Sequence, residues 1–210
     1  MVESLTKQDW LIVANGELSK KQLLSLSKKR KILVCDGAYN KIQDMALKID
    51  ILIGDFDSIN QNALKKLSQT NCQIITALNQ NATDLEKALQ YIKYKACSVI
   101  VFGATGLDLD HTLYNLNLLK KFHNILSLKF ITKTQEIFLL ENSCLVLKNY
   151  TNKIISLFAY NQAIITTQGL QYELKNYQIN TFQSSARNKI IAVNSRLTVL
   201  GTIIIFLQQK

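Results

Sequence analysis

Ile51-Leu52-Ile53-Gly54-Asp55-Phe56-Asp57-Ser58 runs from an unbroken apolar stretch into a glycine and then two carboxylates separated by one residue. An apolar run without polar alternation suits a strand buried on both faces, as in a parallel sheet covered by helices. The same pairing of an apolar run with a following helical pattern recurs on both sides of it. Leu11 to Ala14 precedes a Lys/Leu-rich segment at 18–29, Ile32 to Cys35 precedes 40–47, and Ile51 to Ile53 precedes 58–67. Cys72 to Thr76 precedes 83–95, Ser98 to Phe102 precedes 110–122, and Leu128 to Thr132 closes the series. This cadence predicts an α/β domain over residues 1–135, with a mainly parallel, Rossmann-like sheet and flanking helices. The helix opening at Thr83 has the clearest pattern: Leu85, Ala88, Leu89 and Ile92 form one apolar stripe, and Thr83 with Glu86 fits a capping box.

After about Glu136 the pattern changes. Short apolar runs at 137–140, 144–147, 154–158, 163–167, 189–193 and 202–207 are separated by Asn-, Gly- and Ser-bearing turns, with no amphipathic helix between them. A C-terminal all-β, sandwich-like domain over 136–210 is the expectation.

Composition removes several function classes. Hydrophobic residues make up 48% and charged residues 19%, enough apolar material for a packed core. The four cysteines lie far apart without a C-x-x-C pair, and there are two histidines, so zinc and redox frameworks are not expected. The net charge of +10 is spread along the chain without an RNP, zinc-finger or basic-zipper pattern, so a nucleic-acid partner is not expected either. The polar start, Met1 to Trp10, does not read as a secretory signal. The longest apolar run, Leu197 to Leu207, is interrupted by Thr198, Gly201 and Thr202 and falls short of the ~20 residues that span a bilayer. No membrane association and a soluble, cytoplasmic protein are the expectation.

The aspartate pair is open to two readings. If extended geometry continues past Gly54, Asp55 and Asp57 face the same side at the carboxyl end of a parallel strand, where open α/β sheets bind ligands. Two such carboxylates suit Mg²⁺, which takes hard oxygen ligands and bridges them to substrate phosphates. Equally, Asp57-Ser58 caps the helix that follows. Asp84, at the start of the clearest helix, is a third acid at the same sheet edge, although a carboxylate there also complements the helix dipole. The segment Gly103 to His111 places a glycine turn before a helix N-terminus, a geometry that admits phosphate, but it is not a P-loop. His111 reads as a general base or as a helix-start residue with a structural hydrogen bond.

Taken in order, Val13-Ala14-Asn15-Gly16, Cys35-Asp36-Gly37-Ala38-Tyr39-Asn40, Gly54 to Ser58, Thr83-Asp84 and Gly103 to His111 resemble the motif series of the thiamine pyrophosphokinases. Thr166-Thr167-Gln168-Gly169-Leu170-Gln171-Tyr172-Glu173-Leu174 and Ser185-Ala186-Arg187-Asn188 continue the resemblance through nearly the whole chain. It implies an enzyme that moves a pyrophosphoryl group from ATP to thiamine, giving thiamine diphosphate and AMP with Mg²⁺ as cofactor. It also implies a homodimer with active sites between subunits. Matching positions make Asp55, Asp57 and Asp84 the metal and catalytic centre, with Asp110 as a further catalytic carboxylate. Asn15, Gln80, Thr83, Thr105 and Asp110 would surround ATP, and Asp36, Asn40, Tyr172, Ser185 and Asn188 would hold thiamine. The chain departs from the family pattern at Leu107-Asp108, where a Gly-Arg pair is usual, at Arg187 in place of a small Ser, and at Ala38 in place of Gly. Tyr172 stands where the family often has Trp. The other readings consistent with these residues are a non-catalytic thiamine- or nucleotide-binding protein and a different Mg²⁺-dependent nucleotide-using transferase.

Overall fold

The central apolar runs become buried strands, with Leu11, Ile12, Val13, Leu33, Val34 and Leu52 at 0% exposure. The computed structural model describes residues 8–57, 59–77, 81–106, 108–181 and 183–210. Ser58, Gln80 and Leu107, each part of an expectation above, lie outside these residues. The chain divides into two compact units, Met1–Lys133 and Thr134–Lys210. The fold is a mixed α/β one.

In the first unit the order is β1 (Gln8–Val13), α1 (Lys20–Leu26), β2 (Lys31–Cys35), α2 (Asp36–Ile42), β3 (Ile51–Gly54), α3 (Gln61–Ser68) and β4 (Gln73–Thr76). It continues with α4 (Asp84–Ile92), β5 (Ala96–Phe102), α5 (Leu109–Phe122) and β6 (Ser127–Ile131). Every ladder is parallel: β1 pairs with β2 and β5, β3 with β2 and β4, and β6 with β5. The spatial order is therefore β6-β5-β1-β2-β3-β4. The chain winds outward from β1 to β4, then returns to the other side of β1 with β5. This reversal between β1 and β5 is the place where an open α/β sheet leaves a crevice at its carboxyl ends.

The crevice is held by backbone contacts. Ala14 N–H donates to Phe102 O (2.8 Å), Gly16 N–H to Gly103 O (2.7 Å) and Glu17 N–H to Thr105 O (2.8 Å). A side chain at Gly16 would run into the carbonyl oxygens of Gly103 and Thr105, so only glycine permits this approach. From α2, Lys41 Nζ donates to the carbonyl oxygens of Asn15 and Gly16, fixing the same loop.

Helix α4 begins as its sequence predicts, with Thr83 Oγ1 accepting from Glu86 N–H (3.3 Å). The other half of the predicted capping box is replaced. Glu86 is buried, and its two oxygens accept from Tyr114 Oη and Lys121 Nζ, clamping α4 to α5. Burial pushes the Glu86 pKa up, but the hydrogen bonds from Lys121 and Tyr114 outweigh it and hold the carboxyl below its ordinary value. Helix α2 starts earlier than the predicted 40–47, directly at the end of β2. Its first residue, Asp36, accepts from Gly37 N–H, and Ala38, Tyr39 and Ile42 are buried.

The second unit holds β7 (Gln135–Lys148), β8 (Ile154–Gln168), β9 (Tyr177–Asn180), β10 (Ser184–Lys189) and β11 (Asn194–Gln208), all antiparallel. Most of the short strands read from the sequence are parts of longer ones, whereas 189–193 lies mostly between β10 and β11. Runs 137–140 and 144–147 both lie in β7, and 154–158 and 163–167 both lie in β8. Strand β11 pairs with both and carries an irregularity near Gly201, where φ is +98°. Leu197 and Val199 before it, and Ile203, Ile205 and Leu207 after it, enter one core with Leu157, Ile165 and Ile179. The ladder is thus locally irregular at Gly201 while the same strand feeds the core on both sides of it. Among the described residues, no helix is long and apolar enough to cross a membrane.

Gly16→Ala should destabilise the protein by roughly 1–3 kcal/mol, the usual cost of overpacking a close contact. Urea unfolding of the variant measures it, and an unchanged midpoint would show that the β1–β5 crevice is not tightly held.

Candidate active site

A cavity of about 480 Å³ opens at the carboxyl ends of the parallel strands. Ala14, Asn15 and Gly16 after β1 and Gly103, Ala104 and Thr105 after β5 form the wall at the winding reversal. Asp55 after β3 and Thr83, Asp84 and Lys87 at the start of α4 form another part of the lining. Asp108, His111, Thr112 and Asn115 from the first turns of α5 complete it.

Of the expected nucleotide and metal residues, Asn15, Asp55, Thr83, Asp84 and Thr105 meet in this cavity, whereas Asp57 and Asp110 are not among its lining residues. Gln80 lies outside the described residues. The separation of Asp55 from Asp57 corrects the premise that extended geometry continues past Gly54. Phe56 has φ +66°, which breaks period-two alternation between the two aspartates. A left-handed conformation costs a non-glycine residue roughly 1–2 kcal/mol. Here the Phe56 N–H donates to Asp36 Oδ2 (2.9 Å) and its ring packs on the apolar core. Asp57 is left exposed, with its N–H donating to Asp55 Oδ1 (3.3 Å). Among the described residues no three His, Cys, Asp or Glu side chains stand close enough to hold a metal by themselves.

Asp36, next in sequence to the cavity residue Cys35 and hydrogen-bonded to Asp84, is 3% exposed. Gly54 makes this possible, because a Cβ there would overlap the Asp36 carboxylate. Burial is the main force raising the Asp36 pKa to about 6, and the charge of Asp84 together with a hydrogen bond to it adds to the rise. The N–H groups of Phe56 and Gly37 oppose it. Negative charge is therefore in surplus at this edge of the sheet, which suits a cation. Asp55 and Asp84 beside room for phosphate oxygens match the usual Mg²⁺ arrangement of one or two carboxylates with substrate phosphates. Burial also pushes the Cys35 thiol well above its ordinary value, so this cavity cysteine stays neutral.

The other expected thiamine residues are placed as follows. Asn40 is exposed on α2. Tyr172 is 68% exposed, whereas Asn188 is buried. Asn188 Nδ2 donates to Tyr172 O (2.7 Å), and Asn188 Oδ1 accepts from Tyr172 N–H (3.1 Å) and Lys189 N–H (2.9 Å). The Asn188 amide thus fixes the backbone that presents the Tyr172 ring. Ser185 is half-buried on β10 opposite Leu157. Arg187 follows at a bulge with φ +55°, its N–H donating to Ser156 Oγ (2.9 Å).

Lys87, Thr112 and Asn115 line the cavity without having been singled out by sequence reasoning. Lys87 Nζ pairs with Asp84 Oδ1 at 3.0 Å, and its side chain is 9% exposed. The i,i+3 spacing from Asp84 was the available signal. Asn115 is one helical turn beyond His111, on the face that His111 and Thr112 also line. Asp108, the N-cap residue of α5, makes no side-chain capping bond and lines the cavity.

The chain is similar to proteins of one kind. A protein named thiamin pyrophosphokinase 1 from Caenorhabditis elegans is 24% identical over 216 residues, covering 90% of this chain and 80% of the relative. Thiamine pyrophosphokinase 1 from Arabidopsis thaliana is 26% identical over 236 residues, covering 92% and 85%. Among solved structures, the thiamine pyrophosphokinase from Bacillus subtilis superposes with a TM-score of 0.84 at 21% identity, covering 97% of this chain and 99% of that one. The thiamin pyrophosphokinase from Candida albicans gives 0.86 at 18% identity, covering 98% and 90%. The family model for the thiamin pyrophosphokinase catalytic domain matches residues 23–130, more than half of the chain, and the protein belongs to that family.

Proposed function

We propose that this protein transfers the pyrophosphoryl group of ATP to thiamine, giving thiamine diphosphate and AMP. The observation that carries the reading is the cavity at the winding reversal, whose lining joins Asp55, Asp84 and Lys87 with the glycine-bearing loop after β5 in a volume of about 480 Å³. The thiamine hydroxyl oxygen attacks the β-phosphorus of ATP. The bond from that phosphorus to the oxygen bridging the α- and β-phosphorus atoms breaks, and AMP leaves with this oxygen. The hydroxyl proton passes to a carboxylate. Asp84 is the better placed acceptor, because Asp110 lies outside the cavity lining and its Oδ1 accepts from His111 N–H (2.8 Å).

Asp55 and Asp84 would hold Mg²⁺, with Asp57 nearby in the chain, and the ion supplies neutralisation of the phosphate charge. The protein's own residues do the rest. Asn15, Thr83 and Thr105 border the nucleotide, backbone N–H groups at the start of α5 offer donors to phosphate, and Lys87 brings a positive charge to the cavity. Lys87 thereby stands in for the arginine that the family pattern has where Asp108 occurs. Rate enhancement comes mainly from positioning and charge complementarity, as in phosphoryl transfer generally. We further propose a homodimer in which Tyr172 and Ser185 of one subunit complete the thiamine site of the other, with Asn188 acting through the Tyr172 backbone. Asp36 then acts from beneath the site, and Asn40 contributes at its edge.

Incubation with ATP, Mg²⁺ and thiamine should release AMP and thiamine diphosphate in equal amounts. Asp84→Asn and Lys87→Met should each lower kcat by about 100-fold or more with little change in melting temperature, in line with the loss of a preorganised charge. Nucleotide binding without AMP release by the unaltered protein would sink the enzymatic reading. Because the Asp36 carboxyl binds its proton more tightly in the folded state, stability of the metal-free protein should fall as pH rises from about 4 to about 6. Asp36→Asn should flatten that part of a melting-temperature profile, and an identical profile in the variant would remove Asp36 as its cause. Sedimentation should give a dimer, and Tyr172→Ala should raise the KM for thiamine about tenfold while sparing that for ATP; a fully active monomer would refute the shared site.

A further inference from the structure

Asn115 is 9% exposed and lies in the cavity wall with only half of its amide used. Its Nδ2 donates to Ala104 O at 2.8 Å, which fixes the ring of possibilities for the side chain: the amide cannot be turned over without losing that bond. The other end, Oδ1, is buried without a hydrogen-bond partner. A buried acceptor left in this state costs about 1–3 kcal/mol, and native proteins leave few of them. The cavity it borders is large enough for a small-molecule ligand.

An acceptor oxygen selects a donor. Phosphate oxygens carry no proton to give at neutral pH and would be repelled, so the polyphosphate is excluded as the partner of this atom. The Asp55, Asp84 and Lys87 side chains come from β3 and α4, whereas Asn115 comes from α5 and is tied to the loop after β5. We propose that Asn115 Oδ1 accepts a hydrogen bond from the nucleoside part of the bound nucleotide, from an exocyclic amine or a ribose hydroxyl, and so sets which nucleotide the cavity takes. This rests on the nucleotide-binding part of the function proposed above, but not on catalysis.

The test is equilibrium binding by calorimetry, without thiamine, of ATP, inosine triphosphate, 2′-deoxy-ATP and 3′-deoxy-ATP. Inosine triphosphate lacks the amine, and each deoxynucleotide lacks one hydroxyl. One of the three should bind the unaltered protein about tenfold or more weakly than ATP, and its identity names the donor. In Asn115→Leu, which removes the acceptor, that gap should close because ATP weakens while the deficient analogue does not. Asn115→Asp keeps an acceptor oxygen but gives up the bond to Ala104, and should keep the gap even if all affinities drop. A purely structural Asn115 would instead weaken all four nucleotides by a common factor in both variants. Equal binding of the four by the unaltered protein overturns the inference and leaves nucleotide binding standing, with a trapped water as the partner of Oδ1. A gap that persists in Asn115→Leu overturns it too, as does a gap lost in Asn115→Asp should the leucine variant not fold. Failure of every nucleotide to bind overturns both this inference and the function it rests on.

Discussion

The return of the chain from β4 to the far side of β1 is the constraint on which the site depends. Strands β1 and β5 are parallel neighbours, yet the segments that follow them lead to opposite halves of the sheet. No crossover can cover the carboxyl ends of both, so a crevice is left there by topology, before any side chain is chosen. What the sequence adds is control of its width. Gly16 lets the two loops approach to backbone hydrogen-bonding distance, and Lys41 holds the same loop through two carbonyl oxygens. Burial pushes the Lys41 pKa down, a cost offset by those two bonds.

A second constraint is the buried acid next in sequence to the cavity residue Cys35. Asp36 is a carboxyl group at the buried end of β2, and its two oxygens accept the Gly37 and Phe56 N–H groups. The bond to Phe56 explains the left-handed backbone between Asp55 and Asp57. The turn is needed to bring that N–H to the buried carboxylate while the Phe56 ring stays in the core. The neighbouring Asp84 carboxylate adds to the rise in the Asp36 pKa, and two acids this close suit a cation between them and a phosphate.

The strands of the first unit were legible because continuous β-branched and leucine runs have few alternatives to a two-face-buried parallel sheet. Thr83 was legible as a cap because its hydroxyl acts locally. The failures share a different physics. The turn at Phe56 is dictated by Asp36, twenty positions earlier in sequence, and no local pattern announces it. Glu86 fits a capping box, yet tertiary partners on α5 take both of its oxygens. The long strands β7 and β8 read as pairs of short ones, and only the second half of β11 reads as a strand, because the polar residues along them resemble turn signals while the ladder continues past them. For Asn188 the motif gives the residue, and the packing gives the engagement of Oδ1 and one Nδ2 N–H by the Tyr172 backbone. The motifs bring Asn15, Asp55, Thr83, Asp84 and Thr105 to one cavity, but which atoms remain available to a ligand is decided by packing.

The charge at the cavity is the least expected feature. A chain with net charge +10 lines its crevice with Asp55, Asp84 and Asp108, so the global excess of lysine does not describe the local field. Exposed lysines farther off than a Debye length of ~8 Å are largely screened at physiological salt and contribute mainly to encounter. A polyphosphate in the crevice therefore depends on cations held inside it. Lys41 is committed to loop carbonyls, and Lys133 to Glu17, which leaves Lys87 as the lysine in the cavity lining, already poised on Asp84. Asp108 is not needed to cap α5, so its carboxylate adds to the demand for positive charge without stabilising the helix through a side-chain bond. A lysine is a compact point charge on a flexible stem, unlike the planar fork of an arginine. It can follow phosphate oxygens but cannot grip two of them at once. In such a site, orientation must come from elsewhere, and the fixed amide of Asn115 and the β1–β5 loops are the rigid parts able to supply it.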